Sequence, residues 1–413
     1  MPEFLHLVPP QSALDRLLEN IPQKSIPLGF EECQTTQALG RVTYAPILAP
    51  YPLPTFRRSS VDGYAVRAMD TYGASEGLPA YLSMIGEVPM GSTPGFKLHA
   101  SQCALIHTGG MLPEEADAVV MVEYTQSSHD QEVEFLRPIA VGENVIKVGE
   151  DVEKGEVVIP AGVRLRPAEI GGLMALGITR LPVTCKPVVG ILSSGDEVIS
   201  PEDEIRPGQV RDVNTYTLSA LVHESGGEVH AYGIIPDQFE SLYTVAAKAF
   251  GECDLVVITA GSSASSRDLT AKVITHLGKP GVLVHGVNIR PGKPTILAVA
   301  DGKVVIGLPG NPVSALVIAK LFLVPVLSAL TGLRRLRFEP TTLARLTTNV
   351  ASQAGREDWV AVRLLRTDSG YQAEPIYGKS NLIFTLARAD GLVRIPLDAT
   401  GLSAGEIVEV IFL

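Results

Sequence analysis

Between residues 254 and 314, two strand-like runs each empty into small residues at the start of a helix, with a proline-flanked basic turn between them. The first run, Asp254-Leu-Val-Val-Ile-Thr259, opens into Ala260-Gly-Ser-Ser-Ala-Ser-Ser266. Asp268 follows in the first turn of a helix carrying Leu269, Val273 and Leu277 at helical spacing. The second run, Val304-Val-Ile-Gly-Leu308, leads into Pro309-Gly310-Asn311-Pro312, where Asn311 reads as an N-cap and Pro312 as the first helical residue. Exposed amides and the positive end of a helix dipole suit such places to an anion. Either loop alone is equally what any α/β protein uses to join strand to helix. The turn Arg290-Pro-Gly-Lys-Pro294 distinguishes this stretch, because prolines on both sides of Gly292 and Lys293 pin a cation in place. That arrangement is costly unless something negative binds there.

The elements that must position these groups begin at Pro187. Val188 to Leu192 reads as a strand with Ser193-Ser-Gly-Asp-Glu197 at its carboxyl end, Thr215 to Glu224 as a helix stopped by Gly226-Gly227, and Val229 to Ile235 as a strand ending at Pro236-Asp237. Strands alternating with helices predict a doubly wound, mostly parallel sheet. In such sheets ligands sit beyond the carboxyl ends of the strands. The 193–197 loop, Asp237, the Gly261 loop and Pro309-Gly310 all fall at that edge. Carboxylates at an anion site are consistent with a divalent cation bridging them to a phosphate.

Length and charge bound the function. At 413 residues the chain exceeds what one core supports, so two to four domains are expected. It is 46% hydrophobic and 19% charged, with a net charge of −11 and no basic run, which argues against a nucleic-acid partner. An anionic ligand must therefore be held by local groups against the average field. Cys33, Cys103, Cys185 and Cys253 are widely spaced and read as reduced structural thiols, neither a metal site nor a disulfide frame. The first residues lack a signal-peptide pattern, and the apolar run from Ala315 to Leu330 is interrupted by Lys320 and Pro325. The expectation is a soluble cytoplasmic protein with no membrane partner.

The remaining segments read in order. Ser12 to Ile21 is a short helix with Leu14, Leu17 and Leu18 on one face. Four prolines between Ala45 and Pro54 read as a stiff connector without regular structure. Asp62-Gly63 is a tight turn before a strand at Tyr64, and residues 81 to 136 are short β segments split by Gly and Pro. A helix over Ala168, Ile170, Leu173 and Leu176 ends at Gly177. After Gly332, short alternating strands predict a small β-barrel of about 80 residues. The predicted domains are an elongated N-terminal lobe (residues 1–50 and 140–184), a β-rich insert (51–139), a central α/β domain (185–331) and a C-terminal β-barrel (332–413).

Seven motifs together carry a resemblance. Ser60-Val-Asp-Gly-Tyr-Ala65, His107-Thr-Gly-Gly110, Ala116-Asp-Ala-Val-Val120, Gly149-Glu-Asp151, Ser194-Gly-Asp-Glu197, Arg290-Pro-Gly-Lys-Pro294 and Gly307-Leu-Pro-Gly-Asn-Pro-Val-Ser314 occur in this order. The set resembles the molybdopterin molybdenumtransferase family, which includes the C-terminal domain of gephyrin. The resemblance implies an elongated homodimer of four-domain subunits whose active site is shared between subunits. It implies adenylylated molybdopterin and molybdate as substrates, Mg2+ as the assisting cation, release of AMP, and transient contact with other cofactor-synthesis proteins or molybdoenzymes.

Carried over by motif, Asp62, Thr108 and Asp151 would act from the neighbouring subunit. Glu197, Asp237 and Asp268 would serve catalysis and hold the metal. Ser194, Gly195, Asp196, Gly261, Ser262, Gly310, Asn311, Pro312 and Ser314 would bind the pterin substrate. Arg290, Lys293 and Pro294 would form the molybdate pocket, with Arg356 and Ser380 added by the C-terminal domain. Two departures stand out. The loop before Asp268 is one residue shorter than the family's and has a single glycine, and Arg290 stands where the family often has lysine. An alternative reading is therefore a non-catalytic or tungsten-specific paralogue that binds molybdopterin as an assembly scaffold.

Overall fold

The computed structural model describes residues 6–127, 131–260, 264–334 and 341–413, without the side chains of residue 127 and of residues 264–268. The chain gathers into two compact units, one of residues 1–45, 161–170 and 180–413, the other of residues 46–160 and 171–179.

In the larger unit, six strands run in the order Glu228–Ile235, Val188–Ser194, Leu255–Ala260, Lys303–Pro309, Ile296–Ala300 and Pro280–His285. The first four are mutually parallel, and the last two join antiparallel. The sheet is thus mostly parallel, as expected, but mixed at one edge. Sequence patterning does not reveal the Ile296–Ala300 strand because all five residues are buried and nothing alternates. The Phe239–Glu252 helix is similarly quiet, since its buried stripe is Leu242, Ala246 and Ala249. One sheet face packs on Leu242, Ala246, Val273 and Ile274, and the other on Leu218, Ile318 and Phe322. Leu17 of the Pro10–Glu19 helix joins that second cluster, with Leu14 and Leu18 packed against it.

Lys320 and Pro325, which break the apolar run in the sequence, do not end the helix there. Helix is continuous over Pro312–Leu330, long and apolar enough by composition to cross a membrane, but most of it is buried in the sheet core. A wider π turn over Ala319–Leu323 comes just before Pro325, where the missing N–H can be absorbed. Lys320 Nζ donates to the Phe412 carbonyl, and burial lowers the pKa of its ammonium.

The predicted barrel is present and closed. Glu357–Thr367, Gly370–Pro375, Thr341–Leu346, Ile407–Phe412 and Gly391–Ile395 pair in turn, and the last returns to the first. Its interior holds Leu346, Val362, Val393, Ile395 and Val410. A two-residue strand, Ile289–Arg290, adds in parallel to Glu357–Asp358, so the basic turn is stitched to the barrel wall.

The smaller unit is built on a six-stranded sheet in the order Ala118–Met121, Gly63–Val66, Gln102–Ile106, Ala80–Val88, Glu132–Phe135 and Thr125–Ser127. Alternation sends Tyr64 and Val66 to one core and Ala65 to the other, so both faces are covered. The proline-rich 45–54 segment departs from expectation in one respect: Ile47–Leu48 pairs antiparallel with Val157–Ile159.

The helix ending near Gly177 spans Pro167–Ala175, and Gly177 takes φ +65°, a conformation that favours glycine. At its start Glu169 accepts from the Arg166 guanidinium at 2.8 Å and from the Arg166 backbone N–H at 2.9 Å. The guanidinium contact, reinforced by that N–H, holds the Glu169 carboxyl down at about 2 against an ordinary 4.5. A depressed carboxyl stabilises the fold above its unfolded pKa, and that contribution is lost as pH falls through the folded value. In urea titrations, Glu169→Gln should be less stable than the parent at neutral pH. The gap should close between about pH 4.5 and pH 2; a gap constant across that range contradicts the assignment.

Candidate active site

The basic turn is fixed before any ligand arrives. Val287 N donates to the Lys293 carbonyl at 3.0 Å, Gly286 N to the Thr295 carbonyl at 2.9 Å, and the Thr295 hydroxyl to the Gly292 carbonyl at 2.6 Å. Gly292 sits at φ +107°, and an added Cβ would lie 2.2 Å from Ile318 Cγ1. Glycine is required there by conformation and by space.

This turn forms one side of a cleft of about 1040 Å³. Arg290, Lys293 and Pro294 line it together with Arg356 and Ser380 of the barrel, Ser314 of the Pro312–Ile318 helix and Asn311 before that helix. The five residues assigned to the oxyanion from sequence, scattered over 91 positions of chain (290 to 380), thus meet in one concavity. Arg356 Nε donates to Asp358 Oδ1 at 2.8 Å, and Arg290 Nη1 lies 3.9 Å from Asp358 Oδ2. Lys293, beside the Arg290 and Arg356 pairs with Asp358, makes no ion pair of its own among the described residues. Pro312 opens the helix as expected. Asn311 occupies the N-cap position but makes no side-chain cap; its Nδ2 donates to Ser380 Oγ at 3.1 Å. The Ser380 carbonyl in turn accepts from Val313 N at 3.0 Å, tying the 376–380 segment to the helix start.

At the carboxyl edge of the parallel sheet, Ser194 and Ile235 are register neighbours. The Ser194 hydroxyl donates to Asp237 Oδ1, and Asp237 N donates to Asp196 Oδ1 at 3.2 Å. Glu197 Oε2 lies over Gly195, where a Cβ would stand 3.0 Å away. Ser194, Gly195, Asp196, Glu197 and Asp237 are therefore gathered as the motif reading requires. The helix bearing Asp268 starts at Ala264, which makes Asp268 its fifth residue and moves it past the expected first turn. The Asp268 side chain, Gly261 and Ser262 lie outside the described residues. Among the described residues no group of three or more metal-ligating side chains converges.

Comparison with known proteins bears on the whole chain. Residues 8–177 match the MoeA N-terminal region (domains I and II), residues 190–329 a probable molybdopterin binding domain, and residues 343–413 the MoeA C-terminal region (domain IV). A putative molybdopterin biosynthesis protein of Methanocaldococcus jannaschii is 36% identical over 394 residues, covering 93% of this chain and 92% of that one. The chain belongs to the molybdopterin molybdenumtransferase family. A molybdopterin molybdenumtransferase of Bacillus subtilis is 31% identical over 380 residues, covering 91% and 88% of the two chains. The crystal structure of a molybdopterin biosynthesis MoeA protein from Pyrococcus horikoshii OT3 superposes with TM-score 0.86 at 33% identity, covering 98% of this chain and all of the other.

Within this molybdenumtransferase-family chain, the smaller unit brings Asp62 and Thr108 together. Asp62 Oδ1 accepts from Thr108 N at 2.8 Å and from Thr108 Oγ1 at 3.2 Å. The Thr108 backbone N–H holds the Asp62 carboxyl below the usual carboxylate range, helped by the Thr108 hydroxyl and by His107. His107 Nδ1 is 3.8 Å from Asp62 Oδ1, and its Nε2 is 2.9 Å from Glu87 Oε1. Asp151 is exposed, and its backbone N–H donates to the Leu53 carbonyl at 3.0 Å. The described contacts do not join it to the Asp62 pair.

Sequence reasoning passed over three groups. Asn214 Nδ2 donates to the Gly310 carbonyl at 2.9 Å, while its Oδ1 and the Thr215 hydroxyl are buried with no hydrogen-bond partner among the described residues. Asp212 Oδ1 caps Thr215 N at 3.1 Å. Asp358 is the third. The signal for the first two was an Asp-x-Asn running into the start of the Asn214–Glu224 helix, which looks like ordinary capping.

Proposed function

We propose that this chain inserts molybdenum from molybdate into adenylylated molybdopterin and releases AMP. The observation that carries the reading is the cleft, which gathers Arg290, Lys293, Arg356 and the Ser380 hydroxyl in a protein of net charge −11. A concentration of cations against the average field is the signature of a site built for an anion. Arg290 and Arg356 offer forked N–H groups, Lys293 a point charge, and Ser380 a donor, which together suit a tetrahedral dianion.

In this reading the sheet edge holds the adenylylated pterin. Ser194, Gly195 and Asp196 bind it from the end of the Val188–Ser194 strand, and Gly310, Asn311 and Ser314 from beyond the end of the Lys303–Pro309 strand, two positions along the sheet. The Pro309–Pro312 loop contributes to both regions, so pterin and oxyanion are presented to each other along one loop. The oxygen donors of Glu197 and Asp237 fit Mg2+, which commonly takes one or two carboxylates together with substrate phosphate. Bound there, that cation would offset the charge of the phosphates. The Ser194 hydroxyl orients Asp237 for this role. Asp62, kept ionised by Thr108, together with Asp151, acts in this reading from the second subunit of a homodimer, and the protein works in the cytoplasm.

Purified protein incubated with adenylylated molybdopterin, molybdate and magnesium should release AMP and form cofactor that activates an apo-molybdoenzyme. Pterin binding without molybdate-dependent AMP release would instead establish a scaffold.

A further inference from the structure

We propose that Asp358 is a positioning residue of the oxyanion cleft, aiming Arg356 and restraining Arg290 so that their remaining N–H groups are presented to the bound anion. The proposal rests on the molybdate reading above and assigns a role to a residue that the motif reading left without one, two positions after Arg356. Asp358 is only 4% exposed yet lines the cleft. Both its oxygens are engaged by one guanidinium, through Nε at 2.8 Å and Nη2 at 3.3 Å. The second guanidinium, of Arg290, stands 3.9 Å from Oδ2, and the parallel pairing Arg290↔Asp358 sets that approach through the backbone. Glu357 N donates to the Asn288 carbonyl at 3.0 Å, which fixes the register.

Its neighbour supplies a contrast inside the same strand. Glu357 is equally buried but points the other way, accepting from Trp359 Nε1 and from Arg394 Nε, each at 2.8 Å. Alternation along the strand therefore gives one carboxylate to the cleft and the next to the barrel. An arginine is long and loses several rotamers when it binds; a bidentate carboxylate removes that freedom beforehand. The charge of Asp358 is neutralised within the pair, so its main effect on a third party is geometric. Replacing it with asparagine puts an amide donor against the guanidinium donors and turns Arg356 out of place.

Molybdate binding to the full chain, measured by calorimetry, tests this, with the molybdate dependence of AMP release as a second readout. Asp358→Asn should weaken molybdate about tenfold while leaving adenylylated molybdopterin affinity unchanged. In an Arg356→Ala background the same change should weaken molybdate by clearly less than it does in the parent, because Asp358 acts mainly through that side chain and only its restraint on Arg290 is left. Glu357→Gln should lower thermal stability without moving molybdate affinity. If Asp358→Asn does not fold, Asp358→Glu keeps the charge and displaces the fork by one methylene; it should still weaken molybdate several-fold. Unchanged affinity, additive effects in the double variant, or tighter binding by Asp358→Asn would each overturn the proposal, the last showing Asp358 to be a competing charge. A parent protein that binds no molybdate fails the functional reading itself. Lys293→Ala losing affinity while both Asp358 variants keep it would sink only the role given to Asp358.

Discussion

Lys293→Ala is expected to raise the molybdate requirement for AMP release by roughly tenfold to a hundredfold, with pterin affinity unchanged. A charge-assisted hydrogen bond is worth about 1.5–3 kcal/mol, and each 1.4 kcal/mol is a factor of ten. Lys293 is the cleanest probe of the cleft because it makes no ion pair among the described residues, so truncating it should leave stability near the parent's. Arg356→Ala should raise the molybdate requirement similarly but also lower the unfolding midpoint. It strips the buried Asp358 carboxylate of its main partner, and an unpaired buried charge is strongly destabilising. The measurement is molybdate titration of AMP release beside equilibrium binding of adenylylated molybdopterin. If Lys293→Ala and Arg356→Ala both keep the parent's molybdate dependence, the cleft is not the oxyanion site.

Gly292→Ala should damage both fold and site. At φ +107° an alanine is strained, and its methyl would lie 2.2 Å and 2.4 Å from two carbons of Ile318. Ile318 is fully buried and β-branched, so it has little room to yield. Backbone strain of about 1–3 kcal/mol and overpacking of about 1–3 kcal/mol add to a loss of roughly 2–6 kcal/mol. The turn can relieve this only by moving, which carries Lys293 and Arg290 away from Arg356. Molybdate affinity should therefore fall more than in Lys293→Ala, by over a hundredfold, in whatever fraction remains folded. Adding Ile318→Ala should recover part of the stability by making room, but not the part due to backbone strain. Parental stability and molybdate affinity in Gly292→Ala would show that the turn needs no glycine.

The sheet and the barrel were legible because Leu255–Ala260 and Lys303–Pro309 are apolar runs bounded by turns, and C-terminal strands such as Thr341–Leu346 and Ile407–Phe412 alternate. The cleft residues were legible only through motifs; no periodicity links Arg290 to Arg356 or Ser380. What escaped did so for physical reasons. Ile296–Ala300 is buried on both faces and looks like any apolar stretch. Pro325 reads as a break because helix rules assume regular turns, and a single π turn suspends them. Asp358 in Gly355-Arg-Glu-Asp-Trp359 resembles a surface strand aspartate until Arg290, 68 positions earlier, is paired beside it (358 − 290). Asn311 was placed correctly but its bond was not, since Ser380 competes for its side chain.

The short parallel pairing between Ile289–Arg290 and Glu357–Asp358 makes the cleft a property of a seam. Neither lobe owns it: the α/β sheet brings the turn, the barrel brings Arg356 and Ser380, and two residues of shared backbone keep them in register. Transplanting Arg290-Pro-Gly-Lys-Pro294 onto another α/β scaffold would accordingly carry the cations without their alignment. On the proposed function, a chain cut between helix and barrel would keep the sheet edge assigned to the pterin but lose Arg356 and Ser380 from the cleft assigned to the oxyanion. For an engineer who wants a different oxyanion, the handle is the joint between the lobes, more than any one of the side chains that face the cargo.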